Sequence, residues 1–370
     1  MTHPGPRRVI LAPDKFKGSL TAAQVAAALA AGIESAAPGT EVRQLPVADG
    51  GDGTVDAFLA AGWERVELEA PGPTGEPVST AYARRGDIAV IELAAVVGLV
   101  KLPGGQPNPL GANTYGLGVV MAHALDHGVR EIVLGLGGSA STDGGAGMLE
   151  ALGLRIRDAF GTELPCNGTL LGPDDRVDRS GLHPALADTR ITLASDVDNP
   201  LLGPDGAAAV YAPQKGATPE QVATLEAALS NWAILLGPEW ADEPGAGAAG
   251  GTGFGAMAIL GAVPRSGIDV VLDLVDFPAQ LIGADLVVTG EGSLDTQSLN
   301  GKAPMGVAAA ARRAGVPIVA VAGRVQLSTD QVRAAGFTAA YALTDLEPDP
   351  ARCMADAAEL VRRIGERIVQ

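Results

Sequence analysis

Both ends of the chain alternate short apolar β runs with alanine-rich helical stretches, and that rhythm leaves few folds open. Arg8–Pro13 reads as a strand, and a helix capped by Ser19 follows to about Ser35. Glu41–Val47 is the next strand, with a helix through Ala60. Near the other end, Ala284–Thr289, Pro317–Ala322 and Ala339–Leu343 read as strands. Helices are expected at Ala303–Ala314 and from about Pro350 to Ile368. Parallel strands need crossover connections, so this alternation predicts a parallel sheet with helices on both faces.

The middle of the chain breaks the rhythm. Pro- and Gly-rich turns fall at Pro71–Pro77 and Pro103–Gly111. Ser79–Arg84 and Ile88–Leu93, joined by Arg85-Gly86-Asp87, read as a hairpin. Glu131–Leu136 and Ile191–Ser195 are further strand candidates. The expected layout is one α/β domain from both chain ends, residues 1–80 and 284–370, and a second, residues 81–283, inserted between them.

Composition narrows the function classes. An apolar fraction of 47% with only 19% charged residues excludes a disordered chain. A net charge of -17 argues against nucleic-acid binding. Cys166 and Cys353 supply neither a disulfide framework nor a metal-ligand spacing, which suits a reducing cytoplasm. The apolar run Val9–Ala12 is too short for a signal peptide. The uncharged stretch Gly245–Val263 is rich in glycine and reads as a flexible loop entering a helix, not as a membrane span. His123 and His127 have helical i, i+4 spacing but lack the intervening glutamate of a zinc protease motif, so a structural role is expected.

Five polar clusters follow predicted strands, the position at which open α/β sheets bind ligands. Asp14-Lys15-Phe16-Lys17-Gly18-Ser19 leads toward a helix start, where free N–H groups and two lysines suit an anion. In Asp49-Gly50-Gly51-Asp52-Gly53-Thr54 the carboxylates suit hydroxyls or hydrated Mg²⁺, although a plain turn has the same composition. Gly135–Gly147 is a glycine loop able to cradle phosphates through its N–H groups; tight strand–helix packing is the alternative. It lacks a P-loop ending, and Ala140 spoils a dinucleotide fingerprint. Asp196 and Asp198 alternate along an extended segment and share a face, as a metal pair or as general base. Lys215 lies downstream of them. Last come Thr289–Asp295, containing Glu291, then Lys302, and Arg324 after the following strand. Lysine is scarce, since Lys15, Lys17, Lys101, Lys215 and Lys302 are all there are among 26 cations, and four of the five sit in these clusters. Cations, glycine loops and paired carboxylates together fit Mg²⁺-dependent phosphoryl transfer to a small hydroxylated anion.

Ala12–Leu20, Asp49–Thr54, Gly135–Gly147, Asp196–Leu201, Pro213–Ala217 and Ala284–Pro304 resemble, in order, the signature motifs of the bacterial type 1 glycerate kinases. The resemblance implies an α/β fold with a Rossmann-like domain from both chain ends, an inserted α/β domain and an active site in the cleft between them. It implies ATP- and Mg²⁺-dependent phosphorylation of D-glycerate to 2-phosphoglycerate, with 3-phosphoglycerate as the alternative product. A cytoplasmic monomer or homodimer without nucleic-acid or membrane partners is expected. Asp14, Lys17, Ser19, Asp49 and Arg324 would bind glycerate. Gly137, Gly138, Ser139, Asp143, Gly144 and Glu291 would bind nucleotide. Asp196, Asp198, Lys215 and Lys302 would be catalytic, with Asp196 and Asp198 also the metal candidates. Two rival classes are a dinucleotide-dependent oxidoreductase using the Gly135 loop and a non-catalytic glycerate-binding regulator.

Overall fold

The computed structural model describes residues 6–164, 175–299 and 301–370. His3 and Cys166 lie outside them. In chain order the strands are β1 (Arg8–Pro13), β2 (Glu41–Gln44), β3 (Glu64–Pro71), β4 (Pro77–Arg85), β5 (Ile88–Glu92), β6 (Glu131–Gly135) and β7 (Arg155–Arg157). They continue as β8 (Glu163–Leu164), β9 (Arg176–Asp178), β10 (Arg190–Ala194), β11 (Val263–Arg265), β12 (Leu286–Leu294), β13 (Ile318–Val325) and β14 (Ala339–Ala342). The chain forms two compact units. One comprises residues 1–49, 56–62 and 266–370; the other comprises 50–55 and 63–265.

These boundaries differ from the expected 80 and 283, for two reasons. β3 and β4 pair along their length and β4 continues onto β5, so residues from Trp63 join the second unit. The helix Gly267–Leu274 presses Ile268 against Gly306, which holds Ser266 onward in the first.

The first unit is built on an all-parallel five-stranded sheet, order β14-β13-β12-β1-β2. β1 lies between β12 and β2, and its residues Val9, Ile10, Leu11 and Ala12 have no exposed surface. A strand covered on both faces needs such a continuous apolar run. The first helix is Ala22–Ala36, and its cap is Thr21, not Ser19. Thr21 Oγ1 accepts from Gln24 N–H at 3.2 Å while Gln24 Oε1 accepts from Thr21 N–H at 2.9 Å. This capping box satisfies two of the donors at the helix start. Val25, Leu29 and Ile33 bury one face against Leu360, Val361 and Ile364 of the helix Ala357–Ile368. Each such side chain contributes roughly 1.5–3 kcal/mol by leaving water. A Cβ on Gly32 would run into the carbonyl of Arg362, so the close helix crossing depends on that glycine. The C-terminal helical stretch is two helices, Pro350–Ala355 and Ala357–Ile368, broken at Asp356.

The second unit carries a six-stranded sheet, order β11-β10-β6-β5-β4-β3. β5, β6, β10 and β11 are parallel; β4 and β3 add antiparallel strands at one side. A separate antiparallel sheet holds β8-β7-β9. Register places Glu92, Gly135 and Ala194 side by side at the carboxyl ends of β5, β6 and β10. Trp232, Phe254 and Tyr82 are the largest side chains in the core of this unit. The Gly245–Val263 stretch is a loop entering a helix, as expected: the span Ala248–Leu260 is broken by left-handed backbone at Ala249, Gly250 and Gly251, and residues Gly250 to Met257 are buried. Its small side chains let it back the glycine loop, and Gly250 accepts a hydrogen bond from Gly144 N–H at 2.9 Å. Among the described residues no helix is long and apolar enough to cross a membrane.

Candidate active site

In the first unit the clusters converge at the carboxyl ends of β1, β12 and β13. Ala12 pairs with Thr289 and Pro13 with Gly290, while Glu291 pairs with Ala322 and Ser293 with Arg324. Thr289 Oγ1 donates to Ala12 O at 2.7 Å, and Asp14 N–H donates to Gly290 O at 2.8 Å. Asp49 acts electrostatically on both Asp14 and Glu291, and Glu291 acts on Asp14. Burial pushes the Asp14 carboxyl up to about 7; Lys15 opposes the rise, and Asp49 and Glu291 add to it. Lys15 N–H donates to Asp14 Oδ1 at 2.6 Å, and its ammonium stands 4.0 Å from the same oxygen. Burial also raises Glu291, against Ser298 and Lys302, which lower it. Glu291 Oε1 is buried without a hydrogen-bond partner. A buried polar atom left unpaired is costly.

Lys17 and Arg324 are exposed at this end of the sheet. Ser19 Oγ donates to Phe16 O at 3.1 Å within a tight Phe16–Leu20 turn. Lys302 immediately precedes the helix Ala303–Arg313. Glu291, expected with the nucleotide group, thus sits with Asp14 and Asp49, in the unit that does not carry the glycine loop.

In the second unit the glycine loop is packed backbone to backbone. A Cβ on Gly137 would lie 2.6 Å from Gly51 Cα, and one on Gly135 would lie 2.6 Å from Gly50 O. Leu99 N–H bonds Gly138 O, and Ala140 N–H bonds Val97 O. The N–H groups of Gly137, Gly138 and Ser139 make no hydrogen bond with a described residue. Unpaired donors of a glycine loop have the geometry that suits a phosphate.

Asp143 and Gly144, expected as nucleotide contacts, and Lys215, expected as catalytic, also hold the loop together. Asp143 Oδ2 accepts from Thr114 N–H at 2.8 Å, Thr114 Oγ1 at 2.7 Å and Gly147 N–H at 3.2 Å. Its Oδ1 accepts from Gly145 N–H at 3.2 Å. Asp143 therefore shapes the loop. Gly144 accepts from Trp232 Nε1 at 3.0 Å, and a Cβ there would lie 2.5 Å from Trp232 Cδ1. Lys215 is 3% exposed; its ammonium donates to Ser139 Oγ at 2.8 Å and to Ser141 O. Burial depresses its pKa to about 7, partly offset by Asp143.

Asp196 and Asp198 follow β10 and are exposed, alternating with half-buried Val197, as expected of an extended segment. Asp198 raises the neighbouring Tyr211 hydroxyl, whose larger push comes from burial. Among the described residues no group of three or more His, Cys, Asp or Glu is arranged to hold a metal ion. His123 and His127 stack at 4.1 Å, and His123 Nδ1 lies 3.3 Å from the Tyr82 hydroxyl.

Four organising residues escape a sequence reading. Glu92, 5% exposed, accepts from Gly53 N–H at 3.1 Å and Val55 N–H at 3.2 Å. Ser298 is fully buried beside Glu291, and Thr114 and Trp232 hold the glycine loop. Only Glu92 carries a local signal, an acid ending an otherwise apolar strand.

Parallel strands whose carboxyl ends carry a tuned carboxylate cluster in one unit and a glycine loop in the other define a phosphotransferase. The glycerate kinase family model matches residues 9–370, and the chain belongs to that family. Glycerate kinase of Bacillus subtilis strain 168 is 43% identical over 91% of this chain and 90% of its own length. Glycerate 2-kinase of Escherichia coli K12 is 40% identical over 91% and 90%. A crystal structure described as glycerate kinase 2 from Salmonella typhimurium LT2 superposes with TM-score 0.85 at 40% identity, covering 98% of this chain and 97% of that one. The oxidoreductase alternative is set aside by this membership.

Proposed function

We propose that this protein transfers the γ-phosphoryl group of ATP to a hydroxyl of D-glycerate, releasing ADP and 2-phosphoglycerate. The observation that carries the reading is Asp14, a largely buried carboxyl near pKa 7 at the end of β1, beside Lys15, Asp49 and Glu291. A base with that pKa takes a proton from an attacking hydroxyl most effectively near neutral pH. Lys17 and Arg324 pair with the glycerate carboxylate, and Ser19 accepts from a substrate hydroxyl. Glu291 accepts from a further hydroxyl through its unpartnered oxygen. The N–H groups of Gly137, Gly138 and Ser139 bind the phosphates of the donor. Lys215 keeps that loop in shape from beneath, and Lys302 balances the charge of Glu291.

Magnesium usually keeps several waters and takes one or two protein carboxylates plus substrate phosphates. The exposed pair Asp196 and Asp198 fits that mode, and the bound ion supplies charge neutralisation on the transferring group. Preference for the 2-hydroxyl rests on the name of the Escherichia coli relative. Phosphorus NMR of the product formed from ATP and D-glycerate tests the reading. A 2-phosphoglycerate resonance is expected. A 3-phosphoglycerate resonance refutes the regiochemistry, and absence of glycerate-dependent ADP release refutes the kinase.

A further inference from the structure

The second unit contains a cavity of about 500 Å³ that the roles above leave unused. Its volume is in the range of sites for drug-sized ligands. One wall is the helix Pro219–Leu236, presenting Leu225, Ala228 and Leu229. Tyr115, 39% exposed although aromatic, supplies a flat surface at the start of the helix Tyr115–Asp126. The glycine loop itself forms another part of the lining through Thr142, Asp143 and Gly147.

The polar lining is one-sided. Glu150 contributes a carboxylate and Asn113 a neutral amide, the Asp143 carboxylate is occupied by the loop's own donors, and no lysine, arginine or histidine lines the cavity. Such a surface repels glycerate and the phosphate chain, and favours a neutral ligand that donates hydrogen bonds. Thr142 points to a ligand independently: it is 4% exposed, and its hydroxyl has no hydrogen-bond partner. A buried hydroxyl without a partner is expected where a ligand completes the bonding. Adenosine matches these demands, having a flat apolar face with an amino group and ribose hydroxyls that donate. We infer that this cavity receives the nucleoside half of the phosphoryl donor, with its base against Tyr115 and the apolar flank of the helix Pro219–Leu236. The inference deepens the kinase reading, because that reading supplies the nucleotide.

The test is calorimetric titration of the full-length protein, and of its Ala228→Phe and Tyr115→Ala variants, with adenosine and separately with tripolyphosphate. Ala228→Phe fills the cavity, and Tyr115→Ala removes the stacking surface without emptying the core. Adenosine should bind the wild type, and each variant should weaken it by about tenfold or more. Tripolyphosphate binding should be unchanged. In steady-state assays the same variants should raise KM for ATP while leaving KM for glycerate unaltered. Failure of the wild type to bind adenosine, or wild-type affinity in both variants, overturns the inference. If Ala228→Phe does not fold, Tyr115→Ala alone decides. Turnover of ATP with an unmoved KM in the variants sinks the cavity assignment and leaves the kinase standing. Variant-sensitive adenosine binding without glycerate-dependent turnover does the reverse.

Discussion

Replacing Lys215 with methionine should make the stability of the second unit less dependent on pH, by an amount the structure sets. The Lys215 ammonium is nearly sealed from water, and its pKa falls from 10.5 to about 7 on folding. Below pH 7 both folded and unfolded chains carry the proton, so the full penalty of burying a charge is present. Between about 7 and 10.5 the unfolded chain binds one proton more than the folded chain, so stability rises with pH. The slope approaches about 1.4 kcal/mol per pH unit. Integrated from roughly pH 6.5 to 8.5, it amounts to about 2 kcal/mol. Methionine does not titrate, so subtracting the variant removes every other group. Loss of the bonds to Ser139 and Ser141 costs about 1–3 kcal/mol for each buried group left unpaired, but that cost does not vary with pH. The assay is urea unfolding at three pH values, read by tryptophan fluorescence. Trp63, Trp232 and Trp240 all lie in the unit that contains Lys215, so the signal reports that unit. The wild-type-minus-variant stability should climb by about 2 kcal/mol across that range. A flat difference would refute the argument, since it would mean that folding leaves the ammonium as well solvated as before.

Asp14→Asn should lower kcat by about 10²- to 10⁴-fold with little change in KM for glycerate, measured by coupled ADP release. In the wild type, kcat should rise through about pH 7 as Asp14 becomes the carboxylate and level off above it; a pH-independent wild-type rate assigns the proton elsewhere. Lys17→Met should mainly raise KM for glycerate, and an unchanged KM removes Lys17 from the carboxylate site. Gly32→Ala should destabilise the first unit by roughly 1–3 kcal/mol through overpacking against Arg362, seen as a lower Tm with both KM values retained.

Legibility in the sequence followed the range of the forces involved. β1 was readable to the residue because a doubly covered parallel strand is a bare apolar run. β12 was expected to stop at Thr289 but runs through Gly290-Glu291-Gly292 to Leu294. Glycine weakens a strand on its own, and pairing with β13 as far as Val325 overrides it. The first helix cap was misplaced although the signal was present. Thr21-x-x-Gln24 completes a capping box, whereas Ser19 is followed three residues later by Ala22. Within each unit the clusters could be ordered along the chain, but their partners could not. Asp143 and Thr114 are 29 residues apart, and Lys215 and Ser139 are 76 apart. Such contacts leave no periodic trace.

The split first unit also has a consequence during synthesis on the ribosome. Ala12 of β1 and Thr289 of β12 are 277 positions apart. At bacterial or eukaryotic elongation rates, roughly 15–55 s separate their emergence. Throughout that interval β1, whose Val9 to Ala12 are fully buried in the finished sheet, has β2 on one side and an open edge on the other. The second unit, ending at Arg265, has all its strands available before β12 is made. The nascent chain therefore offers a hydrophobic template while its other half is already complete, and that interval is when chaperone protection counts most.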